Sequence, residues 1–187
     1  MQDWLLIAPI AGVLSILAAV YLYFYVSRQD SGNEKMREIS SAIKEGATAY
    51  LKRQYKTLTI FVVIVAIVLL VAFWNLKGPE RALAYVLGSI SSGLAGYFGM
   101  NVALKANVRT ANGARSGLNK AFPVAFYGGA VMGLSVVGLA LIGISILYYA
   151  FGNPDIVLSF SLGASSMALF AKAGGGIYTK TADIGAD

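Results

Sequence analysis

Five stretches of this sequence are too long and too apolar for a soluble fold. Trp4–Val26 runs for 23 residues without a charge. At about 1.5 Å per helical residue, that is enough to cross a hydrocarbon core of about 30 Å. Leu58–Trp74, Ala82–Leu104, Val124–Phe151 and Ile156–Ala171 are the other four stretches. In lipid a backbone must satisfy its own N–H and C=O groups, and a single span does so as an α-helix. The expected fold class is therefore all-α, a polytopic transmembrane helix bundle of five spans. Only 13% of the residues are charged, against about 25% in a soluble domain. Met1-Gln2-Asp3 lacks the basic start of a secretory signal peptide, so the first span is expected to be retained. The fifth, the shortest, is expected to continue helically beyond Ala171.

The basic residues sort by loop. Seven of the 15 lie in Ser27–Thr57; Lys105, Arg109, Arg115 and Lys120 lie in Lys105–Phe122, which has no acid; Lys172 and Lys180 are in the tail. Only Lys77 and Arg81 occupy the turns on the other side. By the positive-inside rule the N-terminus is outside and the C-terminus cytoplasmic. The net charge of +6 is then mostly topology, and nucleic acid is not an expected partner. The four basic residues of the second cytoplasmic loop read as topology plus lipid headgroup contact. Steering of an anionic substrate is the alternative.

Small residues recur at four-residue spacing. Gly88, Ser92 and Gly96 share a face of the third span, Gly129 and Gly133 a face of the fourth, and Ser161 and Ser165 a face of the fifth. Such faces admit close helix approach. Ser159, Ser161, Ser165 and Ser166 are equally compatible with a polar path. Ahead of the second span, Ser31 and Glu34 fit a capping box. Met36, Ile39, Ile43, Ala47, Tyr50, Leu51 and Tyr55 then follow at three- and four-residue steps. This predicts an amphipathic helix running into the span, either lying on the membrane surface or packing on a neighbour. Packing is favoured, because a bare surface anchor need not be contiguous with a span.

Cysteine and histidine are both absent. Thiolate nucleophiles, His general bases and Cys- or His-based metal sites are thereby excluded from this sequence. The chemistry it carries is concentrated in the tail, "AKAGGGIYTKTADIGAD". A phosphate loop of the form G-x-x-x-x-G-K-[ST] fails here, because Thr179 stands at the second glycine and a span, not a strand, precedes it. Read instead as a helix, Lys180, Asp183 and Asp187 fall at i, i+3 and i+7 on one face. Two carboxylates one turn apart suit Mg²⁺, which typically takes one or two carboxylates plus phosphate oxygens. A lysine one turn earlier adds a point charge for the phosphate. The bland alternative is a solvated helix end with Lys-Asp pairs worth a few tenths of a kcal/mol. The three glycines cost about 1 kcal/mol each in a helix. They imply that another helix or a ligand comes close.

The wording of the tail resembles the signature of the membrane-bound, ion-translocating pyrophosphatases. "MREISSAIKEGATAYLKRQYKT", "GMNVALKANVRTANGAR" and "GGAVMGLSVVGLALIGI" resemble N-terminal segments of that family in the same order. The resemblance implies an integral, multi-pass protein of a prokaryotic cell membrane, usually a homodimer. It implies hydrolysis of inorganic pyrophosphate on the cytoplasmic side with Mg²⁺, coupled to outward pumping of H⁺ in preference to Na⁺. Lys180 matches a substrate-binding lysine, Asp183 and Asp187 match Mg²⁺-binding aspartates, and Lys172 matches a basic residue at the ion gate. Many members carry arginine at that last position, so the planar fork is lost here while the charge is kept. Ion choice and K⁺ dependence rest on family positions outside this sequence, as do the groups that orient the attacking water. Residues 1–187 are accordingly expected to be the five-span N-terminal part of a larger pyrophosphatase domain, with no catalytic residue of their own and no activity alone. The competing expectations are a five-span structural or assembly protein that keeps the motif without turnover, and a small carrier unrelated to pyrophosphate.

Overall fold

The computed structural model describes residues 6–186. It comprises α1 (Ile7–Ser27), α2 (Glu34–Ala72), α3 (Gly78–Ala114), α4 (Leu118–Phe151) and α5 (Pro154–Ala186), with no strand among the described residues. All five helices are long and apolar enough to cross a membrane. The five expected spans fall one to a helix, although Trp4 itself lies outside the described residues. From α2 onward the helices are longer than their expected spans. With 39 residues, α2 is about 58 Å long, roughly twice a hydrocarbon core. Large apolar side chains such as Leu17, Ile64 and Val71 face outward, as lipid or further apolar partners require.

The residues group into two compact units, Met1–Ala49 with Ala95–Ile142 and Tyr50–Leu94 with Gly143–Asp187. In the first, Ala19, Val102 and Val131 form one buried cluster and Val26, Ala106 and Val124 another. Here α1 and α4 meet backbone to backbone: a Cβ on Gly12 would lie 3.1 Å from the Gly138 carbonyl oxygen, and one on Gly138 would lie 2.9 Å from that of Gly12. The entry to α2 departs from the expected capping box. Gly32 adopts φ +78, a left-handed turn in which the helix has not begun. Asn33 becomes the cap, its Oδ1 accepting from the Met36 amide at 3.0 Å. Ser31 lies two residues too early. Beyond the cap, Met36, Ile39 and Ile43 face Leu104, Val108 and Ala111 of α3 across a cleft of about 230 Å³. Ala47 is fully buried, while Ile39 and Ile43 stay exposed. The predicted amphipathic helix is there, and it is turned toward a neighbour.

In the second unit, Ala84, Leu147, Ile156 and Phe160 form the buried core. A Cβ on Gly88 would lie 2.0 Å from the Phe160 carbonyl oxygen, and one on Gly163 would lie 2.0 Å from that of Tyr85. That reciprocal contact fixes the α3–α5 crossing. The small-residue faces were thus placed correctly at Gly88, while α5 uses Gly163 and not the Ser161/Ser165 face. Gly129 and Gly133 look onto open space. The serine hydroxyls bond within their own helix: Ser159 to Asp155 O at 3.0 Å, Ser161 to Val157 O at 3.2 Å, Ser166 to Leu162 O at 2.8 Å. At the far turn, Arg81 pairs with Asp155 at 2.7 Å and lies over the Phe73 ring, so this cation serves the α3–α5 packing.

Candidate functional site

The start of α5 is written locally. Gly152, at φ +57, ends α4; Asn153 accepts the Asp155 amide at 2.8 Å; Pro154 takes the first helical position, where its missing N–H costs nothing. From there α5 continues through Ala171 and all three glycines to Ala186, as the sequence predicted. A triple glycine is a weak point in a helix, and the structure shows what backs it. Two side chains of α2 lie against the glycine face. A Cβ on Gly174 would sit 2.7 Å from both the Tyr50 hydroxyl and Gln54 Nε2. Gln54 Nε2 donates to the Phe170 carbonyl at 3.0 Å. Tyr50 stacks on Tyr178 with ring centroids 5.0 Å apart, and Phe61 meets Phe170 edge-on at 4.7 Å. Gly174 therefore admits the α2 side chains, whereas Gly176 looks onto open space. The Tyr50 hydroxyl is buried beside the Gln54 side chain, and burial, outweighing Gln54, pushes its pKa above the usual tyrosine range. It stays a neutral phenol.

Beyond this clasp, Lys180 and Asp183 come together, Nζ to Oδ2, at 3.9 Å. Their side chains are 74% and 71% exposed. An ion pair this open contributes about 0–1 kcal/mol, so little opposes its opening to admit a ligand. Asp187, the second predicted metal ligand, lies outside the described residues. Lys172 is exposed on α5, about 12 Å along the axis from Lys180, and belongs to a separate locus. Among the described residues no cluster of three or more acidic side chains could hold a metal ion. One carboxylate beside one ammonium still fits the edge of a Mg²⁺–phosphate site: the carboxylate as a hard oxygen donor, the ammonium as counter-charge to phosphate oxygens.

Gln54 is absent from the sequence expectations, and Tyr50 belongs there only to an apolar stripe. Tyr50, Gln54 and Phe61, at i, i+4 and i+11, share one face of α2; that spacing was the available signal. Two basic residues assigned to headgroups are turned inward. Arg109 donates from Nε to Gln29 O at 2.9 Å, from Nη1 to Lys105 O at 2.9 Å and from Nη2 to Ser27 O at 3.3 Å, closing the carbonyl end of α1. Lys105 donates to the Tyr23 hydroxyl and lies 4.6 Å from that ring's centroid. Desolvation explains the difference: both are half-buried, and a half-buried cation needs acceptors.

A family model described as inorganic H+ pyrophosphatase matches residues 13–187. The chain is 53% identical over 188 residues to a Clostridium tetani protein described as a candidate K⁺-stimulated pyrophosphate-energized sodium pump, covering 100% of this chain and 27% of that protein. It is 49% identical over 187 residues to a K⁺-insensitive pyrophosphate-energized proton pump of Methanosarcina mazei, covering 100% of this chain and 28% of the relative. A K⁺-insensitive proton pump of Moorella thermoacetica is 46% identical over 188 residues, covering 97% of this chain and 27% of the relative. The chain thus spans little more than a quarter of the length of these relatives.

Proposed function

Because the chain belongs to the inorganic H+ pyrophosphatase family, we propose that it is the five-span N-terminal part of a pyrophosphate-energised ion pump. The observation that carries this reading is the α5 extension, where Lys180 and Asp183 meet at 3.9 Å on a glycine-bearing helix braced by α2. Lys180 binds a phosphate oxygen of pyrophosphate. Asp183, with Asp187, holds Mg²⁺, which when bound neutralises phosphate charge and acidifies a coordinated water. Lys172 stands at the ion gate. The groups that orient the attacking water come from parts of the larger protein outside this chain, which alone does not turn over. Hydrolysis takes place on the cytoplasmic side, in a homodimer of the prokaryotic cell membrane, and H⁺ is moved outward in preference to Na⁺. The relatives' names divide between sodium and proton and between K⁺-stimulated and K⁺-insensitive. The experiment therefore reads each ion.

In inside-out vesicles carrying the full-length protein, Asp183→Ala and Asp187→Ala are each expected to abolish Mg²⁺-dependent release of phosphate from pyrophosphate. Normal turnover in either variant refutes its role as a metal ligand. In the same vesicles, pyrophosphate should acidify the lumen without added Na⁺. Lumenal uptake of labelled Na⁺ with no primary acidification reverses the choice of ion.

A further inference from the structure

A polar cavity of about 480 Å³ opens in the first unit, among the ends of α1, α3 and α4 that carry the basic loops. Gln29, Asp30, Arg109, Asn112, Asn119 and Lys120 supply its polar wall. None of them belongs to α5. Two cations face one carboxylate, and that carboxylate is already engaged: Asp30 Oδ1 accepts the Gly32 amide at 3.0 Å and Oδ2 accepts Asn112 Nδ2 at 3.0 Å. Arg109 is immobilised by its bonds to three carbonyl oxygens. Of the five N–H donors of a guanidinium, two remain, one on each terminal nitrogen. Among the described residues no carboxylate pairs with Arg109 or Lys120. A fixed planar cation with spare donors, an ammonium and the Asn119 carboxamide together make a donor set for phosphate oxygens. Basic pockets between spans on the cytoplasmic side are where anionic headgroups bind.

We propose that this cavity binds a singly charged phosphate group, held by Arg109 and Lys120 with the amide of Asn119, while the Asn112 amide stays on Asp30. The Asp30 carboxylate in the wall leaves a net charge of +1 from two cations and one anion. That balance favours the phosphodiester of an anionic phospholipid over multiply charged free phosphate. The volume lies within the range of small-ligand pockets, about 300–1,000 Å³. The inference uses no residue of the pyrophosphatase site, so either can fail without the other.

The test is native mass spectrometry of the full-length protein in neutral detergent, titrated with dihexanoyl phosphatidylglycerol. Inorganic phosphate is the competitor in a second arm. Lys120→Gln and Asn119→Leu should each lower the number of tightly bound lipids by one per chain. Arg115→Gln, a basic change in the same loop but outside the cavity wall, should leave it unchanged. Survival of the lipid in excess inorganic phosphate assigns the site to headgroups; displacement at matched concentration assigns it to free phosphate, and the shared chemistry holds. An unchanged count in both cavity variants, or an equal loss in Arg115→Gln, overturns the proposal.

Discussion

Lys172 and Lys180 are both exposed lysines on one helix, yet they are assigned different work. Eight residues apart, their side chains differ by roughly 80° in direction and about 12 Å in height. They therefore occupy different turns and different faces of α5. If Lys172 acts on the ion path, its loss should separate transport from hydrolysis. In full-length protein, Lys172→Ala is expected to lower ion uptake per pyrophosphate cleaved at least several-fold with KM nearly unchanged. Lys172→Arg should restore coupling, since the charge is retained and a fork is added. A rise in KM with intact coupling would move Lys172 into the substrate site. The side chains that meet nothing polar in the sequence reading turn out to matter as much: Gln54 reaches a backbone carbonyl of α5 at 3.0 Å, which no spacing rule for charged residues would flag.

Among the helices, the glycines separate into two kinds by what stands opposite them. At Gly88 an added Cβ meets a backbone carbonyl at 2.0 Å, and backbone in a packed crossing cannot retreat. Gly88→Ala should therefore cost at least the roughly 1–3 kcal/mol of overpacking, against a helix-propensity gain of about 1 kcal/mol. At Gly174 the opposing atoms are the ends of Gln54 and Tyr50, which can swing aside. Gly174→Ala should be close to neutral in stability, because the propensity gain offsets the lost Gln54–Phe170 bond, about 0.5–1.5 kcal/mol. Thermal unfolding in one detergent compares the two. Equal losses would show that the α2–α5 clasp is as rigid as the α3–α5 crossing. The existence of these helices, and the extension of α5 through three glycines, were legible in the sequence from apolar run length and spacing. The faces by which they meet were only half legible: Gly88 was found, Gly163 was not, and the Asn33 cap was displaced from Ser31 by a backbone turn at Gly32.

At the scale of the whole chain, the positive-inside rule makes a prediction the helices alone do not carry. With no cysteine in the sequence, single thiols report their side without background from this part of the protein. Asn75→Cys, in the α2–α3 turn, should react with a membrane-impermeant maleimide from outside intact cells. Arg115→Cys, in the α3–α4 turn, should react only in inside-out vesicles. The opposite pattern would invert the chain and place Lys180 on the wrong side for cytoplasmic pyrophosphate. The number of spans, the loops that carry the charge, and the placing of Lys172, Lys180 and Asp183 on one helix were determined by sequence alone. Each follows from transfer of side chains between water and lipid, which is written residue by residue along the chain. Which glycines touch, which cations turn inward, and that α2 braces the glycine-bearing end of α5 were decided by tertiary structure. Between helices in lipid there is no hydrophobic difference to read; contact is settled by shape and by unsatisfied polar groups seeking partners, and both depend on residues far apart in the chain.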